Sequence, residues 1–274
     1  LGIAHAITVS RDYLKEDDFI LYLGDNLLKD DLTEFINDFK KGHLSGKILL
    51  TEVEDPRKFG VAKFKNERIV ELIEKPKNPP SNYALCGIYI FNKEIHPIID
   101  SLEPSWRGEY EITEAIQKLL ESGKPLGHSF VRGWWKDTGK PEDLLEANRL
   151  ILDSIKTDLG KNQIGADSEI KGRVCLANNV SIKNSTIKGP VIIGDDVVVK
   201  NSYIGPFTAI RNGTVIEDCE VEFSIILDSV VMQNIRIRIH NSLIGNGVEI
   251  KRKESRPKND SFILGDNSKI ILGD

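Results

Sequence analysis

Residues 170–186, IKGRVCLANNVSIKNST, lie without a gap on residues 187–203, IKGPVIIGDDVVVKNSY, with eight of the seventeen positions identical. A third unit, IGPFTAIRNGTVIEDCE, follows from Ile204, and VEFSIILDSVVMQNIRI from Val221 has the same length. Through the first three units aliphatic residues recur in steps of six, six and five: Ile170, Leu176, Ile182, Ile187, Ile193, Val199, Ile204, Ile210, Ile216 and Val221. A unit this short cannot bury its apolar side alone, so successive units must stack. The second half of the chain is therefore expected to be an all-β solenoid.

The six-residue spacing resembles the hexapeptide repeat of left-handed parallel β-helices, in which three short strands form a triangular coil and each strand points one aliphatic residue inward. Two uses of such a helix stand open: an acyltransferase site between coils, or a solenoid for packing, assembly or regulation. His240 is the only histidine beyond residue 160, which favours the second. The basic run Lys251, Arg252, Lys253, Arg256 and Lys258 reads as a solvated excursion.

Upstream the grammar is different. FILYLGD from Phe19 and KILLTEV from Lys47 are strand-like, and DLTEFINDFKK between them carries Leu32, Phe35, Ile36 and Phe39 at helical spacing. That alternation is α/β in kind. GVAKF, RIVELIE and ALCGIYIF add strands, the last apolar enough to be buried on both faces. Ile112, Ile116, Leu119 and Leu120 mark another helix. Pro141 opens a further one, PEDLLEANRLILDSIK, with Leu144, Leu145, Asn148, Ile151, Leu152 and Ile155 on one side. The expected division is an α/β, Rossmann-like domain over 1–158 and a β-helix over 159–274.

Composition narrows the partners. The 274 residues carry 37 Lys+Arg against 42 Asp+Glu, a net charge of -5, so there is no broad attraction to nucleic acid or anionic membrane. Cys86, Cys175 and Cys219 are odd in number and lack CxxC spacing, which argues against a disulfide framework or a zinc site. No apolar run reaches the ~20 residues of a membrane span. A cytoplasmic location is expected.

Three places carry candidate chemistry. Leu23-Gly24-Asp25-Asn26 ends the strand from Phe19, where open α/β sheets bind ligands, although Gly-Asp also suits an ordinary turn. Trp134-Trp135-Lys136-Asp137-Thr138-Gly139 is a second apolar run ending in an aspartate, which would otherwise cap the next helix. Two carboxylates at two strand ends can share one Mg²⁺, an ion that takes one or two protein carboxylates and completes its shell with phosphate oxygens and water. Glu74-Lys75-Pro76 ends RIVELIEK. There the lysine offers a point charge for a phosphate and the glutamate an acceptor for sugar hydroxyls, or the two form a solvated ion pair. Phe59-Gly60-Val61 and Cys86-Gly87-Ile88-Tyr89 place glycines where backbone can approach a ligand, or where a strand bulges.

In this order LGIAHAI, LGDN, DPRKFGVA, ELIEKPKNPPSN, CGIYIF, PSWRGEYEITEAI, GWWKDTGKPEDLLEANRLIL and the repeats ending near KRKESRPK resemble the sugar-1-phosphate nucleotidyltransferase family. Within it they are similar to the long-form glucose-1-phosphate thymidylyltransferases that carry a C-terminal β-helix. The resemblance implies that Asp25 and Asp137 hold a catalytic Mg²⁺, Glu74 contacts the glucosyl ring and Lys75 binds the sugar phosphate. Gly2 would lie against the nucleotide base, and Gly60 and Tyr89 would line the sugar pocket.

The implied reaction joins dTTP and glucose-1-phosphate to give dTDP-glucose and pyrophosphate, in a homo-oligomer. The family's glycine-rich GxGTRLxPxT-type triphosphate loop would precede Leu1, together with two to three pieces of roughly 30 residues each. Residues 1–274 alone are therefore expected to turn over negligibly. Two alternatives stand beside this reading: a non-catalytic scaffold or regulatory subunit, and the same fold using UTP or another sugar-1-phosphate.

Overall fold

In the computed structural model, which describes residues 1–252 and 269–271, the chain divides into two units, Leu1–Thr138 and Gly139–Asp274. The first runs α1 (Ile3–Val9), α2 (Arg11–Leu14), β1 (Phe19–Tyr22), β2 (Asn26–Leu28), α3 (Thr33–Lys41), β3 (Gly46–Glu52), β4 (Gly60–Lys65), β5 (Arg68–Glu74), β6 (Tyr83–Phe91), α4 (Ile95–Asp100), α5 (Ile112–Glu121), β7 (Leu126–Phe130) and β8 (Trp135–Asp137). The second opens with α6 (Pro141–Leu152) and continues as short strands.

Strand β6 is the axis of the first unit. The sheet order is β5-β4-β6-β3-β7, with β1 also paired to β6. The strand is buried throughout except for a half-buried Tyr83, as its apolar run predicts. Its alternate side chains serve two cores: Leu85, Tyr89 and Phe91 pack with α1, α4 and α5, whereas Cys86, Ile88 and Ile90 pack with Phe35 and Phe39 of α3. The sheet is mixed: β3 and β7 are parallel, but β6 runs antiparallel to β1, β3 and β4. The α/β alternation was legible, and these antiparallel returns were not, because a strand buried on both faces reads alike in either direction.

Lys47 of β3, 2% exposed, secures α3 through Asp38 at 2.9 Å and the Phe35 carbonyl at 3.3 Å. Helix α5 buries Ile112, Ala115, Ile116 and Leu119, the spacing its sequence announced.

The second unit is a parallel β-solenoid whose strands form ladders of five, five and six. Coils pair at the 17-residue offset of the repeats: Ile187 lies beside Ile170 and Ile204, Ile193 beside Leu176 and Ile210, Val199 beside Ile182 and Ile216. From Leu176 to Val221 the inward column is at most 4% exposed. Corners turn through residues at positive φ, Asn184, Asn201 and Asp218 stacked at one and Asn179 and Asp196 at another, positions that short amide and carboxylate side chains tolerate.

The fourth unit departs from the constant length read in the sequence. Ala209 pairs with Ile225 and Val215 with Val231, one residue short, and then Glu220 pairs with Arg238, one residue long. The solenoid absorbs both changes at corners, where no inward side chain is displaced.

Helix α6 ends at Leu152, earlier than its pattern suggests. Leu145, Ala147 and Leu152 are buried, and Leu144 and Ile151 are exposed. Pro141 occupies the first turn as expected. Within this unit Asn148 Nδ2 donates to the Phe207 carbonyl at 2.9 Å, and the Arg149 guanidinium lies 4.7 Å from the centre of the Phe223 ring. Phe223 in turn stacks on Phe207 and meets His240. Of the basic run, Lys251 and Arg252 are described, whereas Lys253, Arg256 and Lys258 lie outside the described residues. All three cysteines are free. Among the described residues no helix is long and apolar enough to cross a membrane.

His96 is expected to give the first unit a pH response. It stacks on Phe19, and neither of its buried ring nitrogens has a hydrogen-bond partner. Burial, and then the charge of Arg11, lower its pKa below the ordinary histidine value; burial does the same to His128. A depressed folded-state pKa means that the unfolded chain binds more protons below about pH 6.5. The part of the stability that rests on these neutral imidazoles is therefore full above that pH and falls as pH drops toward their folded-state values. Thermal melts at pH 7.5, 6.5 and 5.5 are expected to show this fall, and His96→Phe to flatten it; an identical slope in the variant would contradict the assignment.

Candidate active site

The sheet delivers Asp25 and Asp137 to one place. Strands β2 and β8 pair antiparallel with Asn26 opposite Asp137, Leu27 opposite Lys136 and Leu28 opposite Trp135. One step on, the backbone N–H and the hydroxyl of Thr138 both donate to the Asp25 carbonyl at 2.7 Å. The two aspartates thus occupy neighbouring positions at the same end of a two-stranded ribbon. Its other end is closed by Asp30, which accepts from the backbone N–H groups of Arg132 and Gly133 at 2.6 and 2.8 Å.

Trp135, held by Asn26, anchors this ribbon to the central sheet. Asn26 is 6% exposed, and its side chain donates to Asp25 Oδ1 at 2.8 Å and accepts from Trp135 Nε1 at 2.8 Å. The same indole N–H reaches the Cys86 carbonyl at 2.9 Å. Gly87, at φ +71°, is needed here: a Cβ would stand 2.8 Å from Leu23 Cδ1 and 3.0 Å from Asn26 Nδ2. The glycine lets the LGDN turn lie directly on β6.

Glu74 and Lys75 form the second cluster. Gly60 pairs with Glu74 across the β4–β5 hairpin, and the Lys75 N–H donates to the Phe59 carbonyl at 3.0 Å. Lys75 has φ +42°, so the chain turns sharply and Lys75 Nζ comes back to within 3.8 Å of Glu74 Oε1. Phe59 joins the two clusters, since its ring meets Trp135 edge-on at 5.5 Å. Asp137, Trp135, Phe59 and Lys75 are therefore linked through successive neighbours.

Burial is the largest influence on Glu74 and raises its pKa above the ordinary value; a hydrogen bond from Thr113 opposes that rise, the charge of Glu111 adds to it, and Lys75 and Arg107 oppose it. Tyr89 is 3% exposed and its ring stacks on Phe91. Burial raises the pKa of its phenol, and the nearby Glu74 carboxylate raises it further. The structure thus brings Gly60 to Glu74 and puts Tyr89 almost wholly inside the core. Gly2, at φ +87°, packs on the Tyr110 backbone, where a Cβ would lie 2.6 Å from the carbonyl oxygen. The Ala4 N–H donates to that carbonyl, and the Tyr110 N–H to the Leu1 carbonyl.

The loop around Tyr110 supplies residues that spacing alone did not single out. Arg107 Nη1 lies 3.7 Å from Glu74 Oε1 and 3.3 Å from Glu111 Oε1, and Nη2 lies 3.1 Å from Glu109. Glu111 also accepts from Ser105 Oγ at 2.9 Å, and Thr113 Oγ1 donates to Glu74 Oε2 at 2.6 Å. The signal available in sequence was the alternation Arg107, Glu109, Glu111, Thr113 leading into the first turn of an amphipathic helix.

A pair of carboxylates is a donor set that suits Mg²⁺. Among the described residues no group of three or more His, Cys, Asp or Glu side chains is placed to hold a metal. An ion held by Asp25 and Asp137 would therefore draw the rest of its shell from substrate oxygens and water.

The family model described as nucleotidyl transferase matches residues 1–154. The chain is 40% identical over 273 residues to a glucose-1-phosphate thymidylyltransferase of Streptomyces griseus, covering 99% of this chain and 76% of that one. It is 44% identical over 276 residues to the low-salt glycan biosynthesis nucleotidyltransferase Agl11 of Haloferax volcanii, covering 99% and 77%. Among solved structures, a Bacillus anthracis protein described as a glucose-1-phosphate thymidylyltransferase, crystallised with sucrose, is similar with a TM-score of 0.52 and 39% identity, covering 58% of this chain and 63% of that one.

Proposed function

The chain belongs to the nucleotidyl transferase family, and on that footing we propose that the full-length protein transfers a thymidylyl group from dTTP to glucose-1-phosphate, giving dTDP-glucose and pyrophosphate, with Mg²⁺ as cofactor. The observation that carries this reading is the β2–β8 pairing, which sets Asp25 beside Asp137 while Trp135 and Phe59 tie that pair to Glu74 and Lys75.

In this reading a phosphate oxygen of glucose-1-phosphate attacks the α-phosphorus of dTTP in line, and pyrophosphate leaves. The nucleophile is already ionised near neutral pH, so no general base is required and catalysis is mainly positioning and charge neutralisation. Lys75 holds the sugar phosphate. Glu74 accepts from a sugar hydroxyl, Gly60 and Tyr89 form the floor of the sugar pocket, and Gly2 borders the base. Asp25 and Asp137 would hold the Mg²⁺, which when bound neutralises phosphate charge.

The catalytic domain is assigned to 1–158 and the β-helix to 159–274, with the protein a cytoplasmic homo-oligomer. The similarity to Agl11 supports keeping a second reading, the same chemistry on another nucleotide or sugar-1-phosphate.

The test is pyrophosphate release by the full-length protein across a panel of dTTP, UTP, ATP and GTP against glucose-, mannose- and N-acetylglucosamine-1-phosphate. The reading expects the highest kcat/KM with dTTP and glucose-1-phosphate, and none without Mg²⁺. A clear preference for another pair selects the second reading, and no release with any pair contradicts both.

A further inference from the structure

We infer that Thr113 is a positioning residue for Glu74: its hydroxyl fixes one carboxylate oxygen so that the other is presented to a sugar hydroxyl. The inference rests on the proposed role of Glu74 as the sugar contact. Thr113 is the second residue of α5 and 2% exposed, so its own position is set by the core. Its Oγ1 donates to Glu74 Oε2 at 2.6 Å, a short bond of the kind a charged acceptor makes. Oε1 faces Lys75 Nζ at 3.8 Å and Arg107 Nη1 at 3.7 Å. These are ion-pair separations too long for direct hydrogen bonds, so Oε1 keeps acceptor capacity for a ligand.

Gly60 is the second half of the device. A Cβ at this position would stand 2.5 Å from Thr113 Oγ1 and 3.1 Å from Glu74 Oε2, so the absence of a side chain is what allows the two to meet. A glutamate has several free torsions, and holding it before the substrate arrives removes that ordering cost from binding. Helix α5 has an independent tie to β5, since the Leu72 N–H donates to Gln117 Oε1 at 2.7 Å. Loss of the Thr113 hydroxyl therefore does not by itself detach the helix. The charged and titratable groups facing Glu74 are Lys75 at the end of its own strand, Arg107 and Glu111 from the loop before α5, and Tyr89 from β6.

The experiment is steady-state kinetics of the full-length protein and its Thr113→Val, Thr113→Ser and Glu74→Gln variants with dTTP and glucose-1-phosphate. Thr113→Val is expected to raise KM for glucose-1-phosphate roughly ten-fold, to leave KM for dTTP unchanged, and to move the acid limb of kcat/KM to higher pH. Thr113→Ser should restore both. Should the valine variant not fold, Gly60→Ala crowds the same two oxygens and is expected to show the same sugar-selective rise.

A valine variant with unchanged KM and acid limb, or a loss that serine does not repair, overturns the inference. Glu74→Gln separates the two layers. If it leaves KM for the sugar phosphate unchanged, the role of Glu74 itself fails; if it raises that KM while Thr113→Val does not, only the positioning role fails.

Discussion

Replacing Asp25 and Asp137 together by alanine is expected to cut nucleotidyl transfer by the full-length protein at least ~10³-fold, the scale on which a charge-stabilising element of a reaction site is lost. Each single alanine should lose most of that, because the two act as one unit and their effects do not add. The protein itself should remain folded. The ribbon that carries the pair is held by backbone pairing of β2 with β8, by both Thr138 donors on the Asp25 carbonyl, and by Asn26 with Trp135. The first two need neither carboxylate, and Asn26 gives up its bond to Asp25 Oδ1 but keeps the one from Trp135. Circular dichroism and melting temperature are therefore expected to stay close to the parent protein while turnover collapses. Near-normal turnover in the double variant would remove the pair from the reaction.

Ile204→Ala is expected to destabilise the solenoid by about 3–5 kcal/mol, the upper range for a fully buried aliphatic truncated to alanine. Ile204 is 0% exposed and lies between Ile187 of one coil and Val221 of the next. The cavity would open between two stacking surfaces at once, and in an array stabilised by nearest-neighbour contacts that weakens both interfaces. Denaturant unfolding followed by far-ultraviolet circular dichroism should show the solenoid transition at lower denaturant. A midpoint unchanged from the parent would mean that coil stacking is not what holds this half together.

The solenoid was legible because its signal is repetitive: a single inward residue in each short strand, with a spacing that survives for three units. The fourth unit escaped because coil length is set at corners, where an added or missing residue leaves the inward column intact. In the first unit the strand ends at Asp25, Glu74 and Asp137 were marked by sequence, and the structure brings the aspartates together. What spacing could not give was the contact between distant segments. Trp135 reaches Asn26 and Cys86, and Arg107 reaches Glu74 across 33 positions; such contacts follow from sheet order, and the antiparallel returns onto β6 were not visible in a run of apolar residues. Tyr89 shows the opposite limit. Its place in an apolar strand makes it as much a core residue as a site residue, and its 3% exposure reflects that.

The central claim is that one site contains the Asp25–Asp137 pair and the Glu74–Lys75 pair. Its most direct measurement is anomalous diffraction from crystals of the full-length protein grown with Mn²⁺ in place of Mg²⁺ and soaked with glucose-1-phosphate. The account predicts a manganese peak in contact with carboxylate oxygens of both Asp25 and Asp137, with the sugar hydroxyls on Glu74 and the phosphate on Lys75. A manganese peak away from the two aspartates, or a sugar phosphate bound elsewhere, would contradict it.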